Sequence, residues 1–129
     1  MKIAVLIARI LLGLMFVIFG ANAFLHFLPS PPPPGAAGQF LGLLFTTHFY
    51  VVIFALQFIG GVLLLVGRYV PLGLIILAPI IVNILNFHIT MAPAGIGPGL
   101  LATVLWLIVF AGVRRAFDGI FAAKVEPTV

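Results

Sequence analysis

The sequence predicts an all-α, polytopic membrane protein: a four-transmembrane-helix bundle with a proline-rich outer loop and a short interfacial helix. The first observation behind this fold class is composition. Of 129 residues, 64% are hydrophobic and only 6% are charged, and the mean hydropathy is +1.41. The second is charge spacing, since no charged residue lies between Arg9 and Arg68 or between Arg68 and Arg114. A chain this short must expose much of its side-chain surface, and lipid is the solvent that accepts a surface this apolar.

Four apolar segments are long enough to be membrane spans, given that a helix needs roughly 20 apolar residues to cross the hydrocarbon core. They are residues 3–28, 48–67, 70–91 and 98–113. The first is not expected to be a cleaved signal peptide, because it is long, lacks an obvious cleavage site and precedes three further spans. The chain length suits a single membrane domain, residues 1–129.

The basic residues predict the orientation of these spans. All six lie at places that fall on one side of a four-span bundle: Lys2, Arg9, Arg68, Arg114, Arg115 and Lys124. The two opposite connections, 29–47 and 92–97, carry no charge. By the positive-inside rule both termini are cytoplasmic, which predicts a multi-pass protein of a bacterial plasma (inner) membrane. Nucleic acid is not an expected partner, because no basic cluster is larger than two residues.

The outer loop, residues 29–47, has two predicted parts. Five prolines within residues 29–34 exclude a helix and favour a stiff polyproline II segment. Residues 36–47 then form a short apolar helix. It is predicted to be interfacial or re-entrant, and the alternative is a single long, tilted second helix that includes it.

The cytoplasmic tail, residues 114–129, is predicted to begin as an amphipathic helix along the inner surface. In VRRAFDGIFAAKV the apolar residues fall on one side at helical spacing and the charged residues on others. Such a pattern is typical of helices that lie in the membrane interface.

Arg9, Gly13 and Gly20 share one face of the first span, and small residues at such positions let a neighbouring backbone approach closely. Arg9 lies about two turns into the span. Its side chain either extends to the inner surface or pairs with an anionic lipid head group, a helix C-terminus or a carboxylate of a partner.

Polar residues in the central and outer parts of the spans are the candidate site. They are Asn22, His26, Gln57, Asn83, Asn86 and His88. Asn83, Asn86 and Thr90 form one stripe that is expected to face the bundle, whereas His88 is turned roughly 140° to 160° away at 3.6 residues per turn. These groups either line an outward-facing ligand pocket or hydrogen-bond between helices as structural contacts.

Several chemistries lack the residues that they need. The chain has no cysteine, which excludes a disulfide, a dithiol centre and a thiolate metal site. Both carboxylates, Asp118 and Glu126, lie at the opposite end from the histidines, so no metal site is predicted. Ser30 lies among prolines and has no triad partners. No catalytic residue and no cofactor motif is identified; a quinone remains compatible with the composition, and nothing specifies haem.

The segment ARILLGLMFVIFGANAF resembles the start of the DoxX family of small bacterial membrane proteins. The family pattern is a basic residue, LLG, and an apolar run that ends in a glycine and a polar position; the matching residues are Arg9, Gly13, Gly20 and Asn22. The stretches QFIGGVLLLVGRYVPLG and VNILNFH are also similar, so the resemblance covers most of residues 5–115. It implies a four-helix membrane bundle. Some members resemble a subunit of an archaeal thiosulfate:quinone oxidoreductase, and others are associated with membrane oxidoreductase complexes in redox-stress defence.

These observations predict a non-catalytic DoxX-like membrane protein. It would bind a hydrophobic small molecule, a quinone or a lipid, in the outward-facing pocket, or support a membrane oxidoreductase as an accessory subunit. The alternatives are a small-solute or lipid transporter or channel, and a purely structural scaffold. The expected partners are the lipid bilayer and either a membrane oxidoreductase or further copies of the chain.

Overall fold

A computed structural model describes residues 1–29 and 31–128 and confirms the predicted all-α fold class. Its elements are α1 (Lys2–Leu25), α2 (Gly35–Thr46), α3 (Tyr50–Val66), α4 (Val70–Met91) and α5 (Gly97–Val113), with short 3₁₀ segments at Pro93–Gly95 and Arg114–Phe117. The part of the chain that the structure describes contains no strand. Each long helix agrees with a predicted span to within three residues at either end.

Helix α3 ends where the sequence supplies a residue suited to a C-cap. Gly67 adopts a left-handed conformation, with φ of 75°, and its amide donates to the carbonyls of Leu63 and Leu64. Glycine has no Cβ and adopts this conformation without strain. The Arg9 guanidinium also donates to the Leu64 carbonyl, at 2.6 Å. Of the alternatives for Arg9, the structure therefore selects the helix C-terminus.

The four long helices alternate in direction around a ring in the order α1, α3, α4, α5. The contacts between α1 and α3 show that these two helices are antiparallel: Arg9 lies beside Leu64, whereas Gly20 lies beside Phe58. Helices α1 and α4 are diagonal to each other. One end of the bundle, the basic end, carries Lys2, Arg9, Arg68, Arg114 and Arg115. The other end, the α2 end, holds α2 and the connections between α1 and α3 and between α4 and α5.

Helix α2 meets α3 at an angle of 90°, so the alternative of one long, tilted second helix is wrong. Residues Thr47 to Phe49 make the bend, and His48 has a φ of 62°. Phe40 packs on Phe87 of α4 with ring centroids 5.7 Å apart. The predicted short apolar helix thus exists as a separate element across the α2 end.

The lengths of the helices agree with a membrane bundle. Helices α1 and α4, and the continuous stretch Gly97–Phe117, are each long and apolar enough to cross a membrane, and α2 with α3 would supply a fourth, bent span. Many large apolar side chains are exposed, which is the surface expected of a chain whose solvent is lipid.

The proline segment before α2 is not helical at any described residue, as predicted. Pro34 has φ of −75° and ψ of 163°, the geometry of polyproline II. Ser30, which falls within the predicted polyproline stretch, lies outside the described residues.

The predicted amphipathic helix in the tail is wrong. After α5, Val113 leaves the helical region with φ of −125°, and only a 3₁₀ turn follows. Phe117 then turns back into the bundle, where it is buried 5.0 Å from the ring of Phe110. Burying this aromatic ring against α5 takes the place of a surface helix, and residues 118–121 continue as turns.

Candidate functional site

The Asn83–Asn86–Thr90 stripe faces away from the bundle. All three residues are exposed, whereas Leu77 and Ile81 of the same helix are buried. On 3.6 residues per turn, Asn86 lies roughly opposite the centre of the buried face. The stripe itself is thus as predicted, but its expected orientation toward the bundle interior is wrong. The apolar residues Gly73, Leu74, Leu77, Ile80 and Ile81 take the face that packs on α3 and α5.

Within this stripe, the side-chain amides make only some of the hydrogen bonds of which they are capable. The Asn83 Nδ2 donates to the Pro79 carbonyl one turn earlier, at 2.9 Å, and the Thr90 hydroxyl donates to the Asn86 backbone carbonyl at 2.7 Å. The Asn86 side-chain amide makes no hydrogen bond to any described residue. Neither does the Asn83 side-chain oxygen. Both groups are therefore open to an external partner.

His88 occupies the other side of α4, half-buried, as its predicted rotation away from the asparagines requires. Its Nδ1 lies 2.8 Å from the Ile84 carbonyl. Since a carbonyl only accepts, Nδ1 carries the hydrogen, and in the neutral ring Nε2 is left as an acceptor. A Cβ added at Gly95 would lie 3.3 Å from that Nε2. The His88 ring therefore packs against the connection between α4 and α5.

Asn22 and His26 terminate α1. The Asn22 Oδ1 accepts a hydrogen bond from the Leu28 amide at 2.7 Å, and the Asn22 carbonyl accepts one from the His26 amide at 2.8 Å. His26 adopts the left-handed conformation, with φ of 52°, and is exposed. The described polar contacts of this pair are thus those of a helix cap.

Among the residues that the structure describes, Gln57 is the one polar residue that is buried, at 5% exposure. It lies one turn before Gly60 and Gly61, which contact α4 and α1 respectively, so its side chain faces the interior. No described residue hydrogen-bonds its amide. Every fully buried side-chain nitrogen or oxygen of the described residues has a partner, which means that the Gln57 amide retains a little accessible surface.

The six predicted residues do not converge on one pocket. Asn22 and His26 belong to α1, whereas Asn83, Asn86 and His88 belong to the diagonal helix α4, and the two asparagines face outward. A cleft of about 380 Å³ between α1 and α3 is lined only by apolar residues. A larger cleft, about 780 Å³, lies at the basic end. Neither contains any of the six residues. No group of three or more metal-ligating side chains occurs among residues 1–29 and 31–128.

Two features were missed by the sequence interpretation. Lys2, Arg114 and Arg115 line the cleft at the basic end, although their positions were interpreted only as a signal of topology. An aromatic cluster joins α2 to α1 and α3: Phe45 stacks on Tyr50 at 4.5 Å, and Phe24 lies 5.6 Å from the same ring. The high local density of Phe and Tyr around residue 48 was the available signal for this cluster.

The comparison with known protein families concerns the helices α1 to α4. The model of the DoxX family matches residues 4–90, a range that begins in α1 and ends in α4. The chain belongs to the DoxX family. The resemblance predicted from α1, from the double-glycine segment of α3 and from the end of α4 is thereby confirmed. No curated protein and no solved structure matches. In this DoxX-family protein, α5 and both cleft arginines lie beyond the matched range.

Proposed function

We propose that this DoxX-family protein is a non-catalytic membrane scaffold that self-associates through the Asn83–Asn86 stripe of α4. The observation that carries the proposal is the exposure of two neutral amides on a helix whose other outward residues include Ile75, Val82 and Ile89. An amide that faces hydrocarbon without a hydrogen-bond partner is costly. A second helix that supplies the partner removes that cost.

A second copy of the chain is the occupant that fits the stripe best. An amide is both donor and acceptor, so it is complementary to itself. A twofold axis along the membrane normal places Asn86 of one copy at the same depth as Asn86 of the other, and likewise Asn83. The stripe carries no charge that would require an ionic partner. In the family context such an assembly would support a membrane oxidoreductase, as the DoxX resemblance implies.

The proposed placement is a bacterial plasma membrane with the basic end and both termini in the cytoplasm. Support comes from the location of Lys2, Arg9, Arg68, Arg114 and Arg115 at one end of the bundle, which is the distribution that the positive-inside rule requires. The α2 end would then face the periplasm.

Because the chain has no cysteine, a single introduced cysteine tests this proposal by disulfide crosslinking. Val82→Cys places a single thiol beside the stripe, and Leu107→Cys places one on the outward side of α5 as a control. In membranes under mild oxidation we expect a covalent dimer for Val82→Cys and little for Leu107→Cys. Adding Asn83→Leu and Asn86→Leu should lower the yield of the covalent dimer. In a fluorescence-transfer titration the same pair should weaken self-association about 3- to 30-fold, since an interhelical hydrogen bond in a membrane is worth about 0.6–2 kcal/mol.

Equal crosslinking from the two cysteine positions would contradict self-association through α4. So would a yield of covalent dimer that is unchanged when both asparagines are replaced. Because Asn83 and Asn86 are exposed, leucine at either position should leave the bundle folded, and retained helical circular dichroism is the control.

A second candidate function, binding of a quinone or of a lipid hydroxyl, is favoured by one observation: Gln57 is buried and its amide has no described partner. A carbonyl or hydroxyl on an oily ligand is the group that such an anchor would hold. Gln57→Leu should then lower ubiquinone affinity at least about tenfold, the loss of one buried hydrogen bond of about 1.4 kcal/mol, in a titration of detergent-purified protein. Gln39→Leu makes the same substitution at an exposed position of α2 and is the matched control. Unchanged quinone affinity in Gln57→Leu would exclude this function.

The transporter hypothesis has no comparable support in the described residues. Between Gln57 and the basic end, the interior is filled by Leu12, Leu64, Leu74, Leu77 and Val109, all fully buried. A path for a polar solute would need polar groups along that stretch.

A further inference from the structure

The cleft at the basic end is formed where α1 begins, α4 begins and α5 ends. It has a volume of about 780 Å³. Neither the proposed self-association nor the quinone hypothesis uses it, since the α4 stripe and Gln57 lie elsewhere. Its lining separates into two parts with different chemistry.

The first part of the lining is cationic. Lys2, Arg114 and Arg115 contribute to it, and its lining includes no aspartate or glutamate. Both arginines are exposed, so their guanidinium groups are free to bind a ligand. Asp118 follows them in the chain but is not part of the cleft wall. Three cations around one concavity, with no carboxylate in the wall, favour an anion.

The second part is apolar. Val5, Pro71, Ala111 and Val113 form it. Helix α5 approaches α1 closely there because residue 112 is glycine: a Cβ at Gly112 would lie 2.7 Å from the Cγ1 of Val5. The cleft therefore combines a charged rim with an apolar wall from α1, α4 and α5.

We propose that this cleft binds an anionic phospholipid, with Arg114 and Arg115 on the phosphate and an acyl chain along Val5 and Ala111. Arginine is suited to the phosphate because its planar fork can donate two parallel hydrogen bonds. A soluble phosphate would satisfy only the cationic rim. A phospholipid satisfies the rim and the apolar wall together, and basic pockets between helices on the cytoplasmic side are suited to such head groups.

The test is a native mass spectrometry titration of the delipidated, detergent-purified chain with dioleoyl phosphatidylglycerol and, separately, dioleoyl phosphatidylcholine. The two lipids have the same acyl chains and differ in head-group charge. We expect phosphatidylglycerol to bind at least about tenfold more tightly, since each basic residue near a head group contributes about 1 kcal/mol. Inorganic phosphate is titrated as a third ligand to separate a lipid head group from a free anion.

Charge-matched variants locate the binding. Arg114→Gln with Arg115→Gln should weaken phosphatidylglycerol binding about tenfold or more. Arg68→Gln with Lys124→Gln removes the same charge from outside the cleft and should leave the affinity within about twofold. Ala111→Phe narrows the apolar wall without altering charge. It should weaken phosphatidylglycerol binding and keeps the test decisive if the arginine double variant does not fold.

Three results would overturn the proposal. The first is equal affinity for the two lipids in the wild-type chain. The second is an equal loss in both charge-matched double variants, which would indicate attraction to the whole basic end. The third is inorganic phosphate that binds as tightly as phosphatidylglycerol with the same dependence on the two arginines, which would assign the cleft to a free anion.

Discussion

Replacing Gly61 with alanine is expected to destabilise the bundle by about 1–3 kcal/mol, the usual cost of an added group in a well-packed core. A Cβ at Gly61 would lie 2.8 Å from the Val17 backbone nitrogen and 3.0 Å from the Gly13 carbonyl oxygen. Both atoms belong to the backbone of α1, so no side-chain rotation relieves the contact. Helices α1 and α3 must move apart, and the adjoining contact of Gly20 with Phe58 loosens with them.

Two other glycines supply the controls. Gly42 lies within α2 and a Cβ there meets nothing within 4 Å, so Gly42→Ala should raise stability by up to about 1 kcal/mol through helix propensity. Gly60→Ala should fall between the two, because its closest neighbour is the Leu77 side chain, at 2.8 Å, which is able to rotate. The measurement is the free energy of unfolding in mixed micelles, followed by the fluorescence of Trp106. A cost for Gly61→Ala no larger than that for Gly60→Ala would contradict backbone contact between α1 and α3.

The second large effect is expected from Arg9→Met, which should lower the free energy of unfolding by about 1.5–3 kcal/mol, the value of a hydrogen bond to a charged group. The Arg9 guanidinium donates to the carbonyl of Leu64, a residue with 0% exposure, and lies against the C-cap Gly67. A cation at this position also interacts favourably with the negative end of the α3 dipole. Methionine keeps an unbranched apolar side chain of similar reach and removes both interactions.

Arg9→Lys and Arg68→Met complete this comparison in the same unfolding assay. Lysine retains the charge near the end of α3 without the planar fork, so it should recover part of the loss. Arg68 is exposed at the turn after α3, and Arg68→Met should change stability by less than about 0.5 kcal/mol, as is usual for surface positions. Equal effects of Arg9→Met and Arg68→Met would mean that the Leu64 hydrogen bond contributes no measurable stability.

The sequence predicted those features that depend on residues close together in the chain. The glycine face of α1 predicted a close approach by another helix, and Gly13 and Gly20 do contact α3. The proline segment predicted a break before α2. The predicted surface helix in the tail is wrong, although the periodic apolar pattern of the tail suits such a helix. Phe117 is instead buried against Phe110, a contact that the pattern does not reveal.

The candidate site was only partly predictable, and Asn83 and Asn86 show why. Their spacing correctly placed them on one stripe and His88 on another side of α4. Which side faces the bundle was not encoded in the local pattern, because in lipid both sides of a transmembrane helix are apolar. The hydrophobic contrast that orients a helix in a soluble protein is absent here. The burial of Gln57 was equally hidden in the local pattern. It depends on the close packing of Gly60 and Gly61 of the same helix against α4 and α1.

By itself the sequence determined the four long apolar helices, their approximate ends and the concentration of basic residues at one end of the bundle. These properties depend on segment length, capping residues and charge spacing, all of which are local. Only the tertiary structure decided the rotation of α4, the partner of Arg9, the right-angled bend between α2 and α3 and the cleft beside Arg114. Each of these depends on which backbones pack closely. That packing is set by contacts such as Gly13 with Gly61, between residues far apart in the chain.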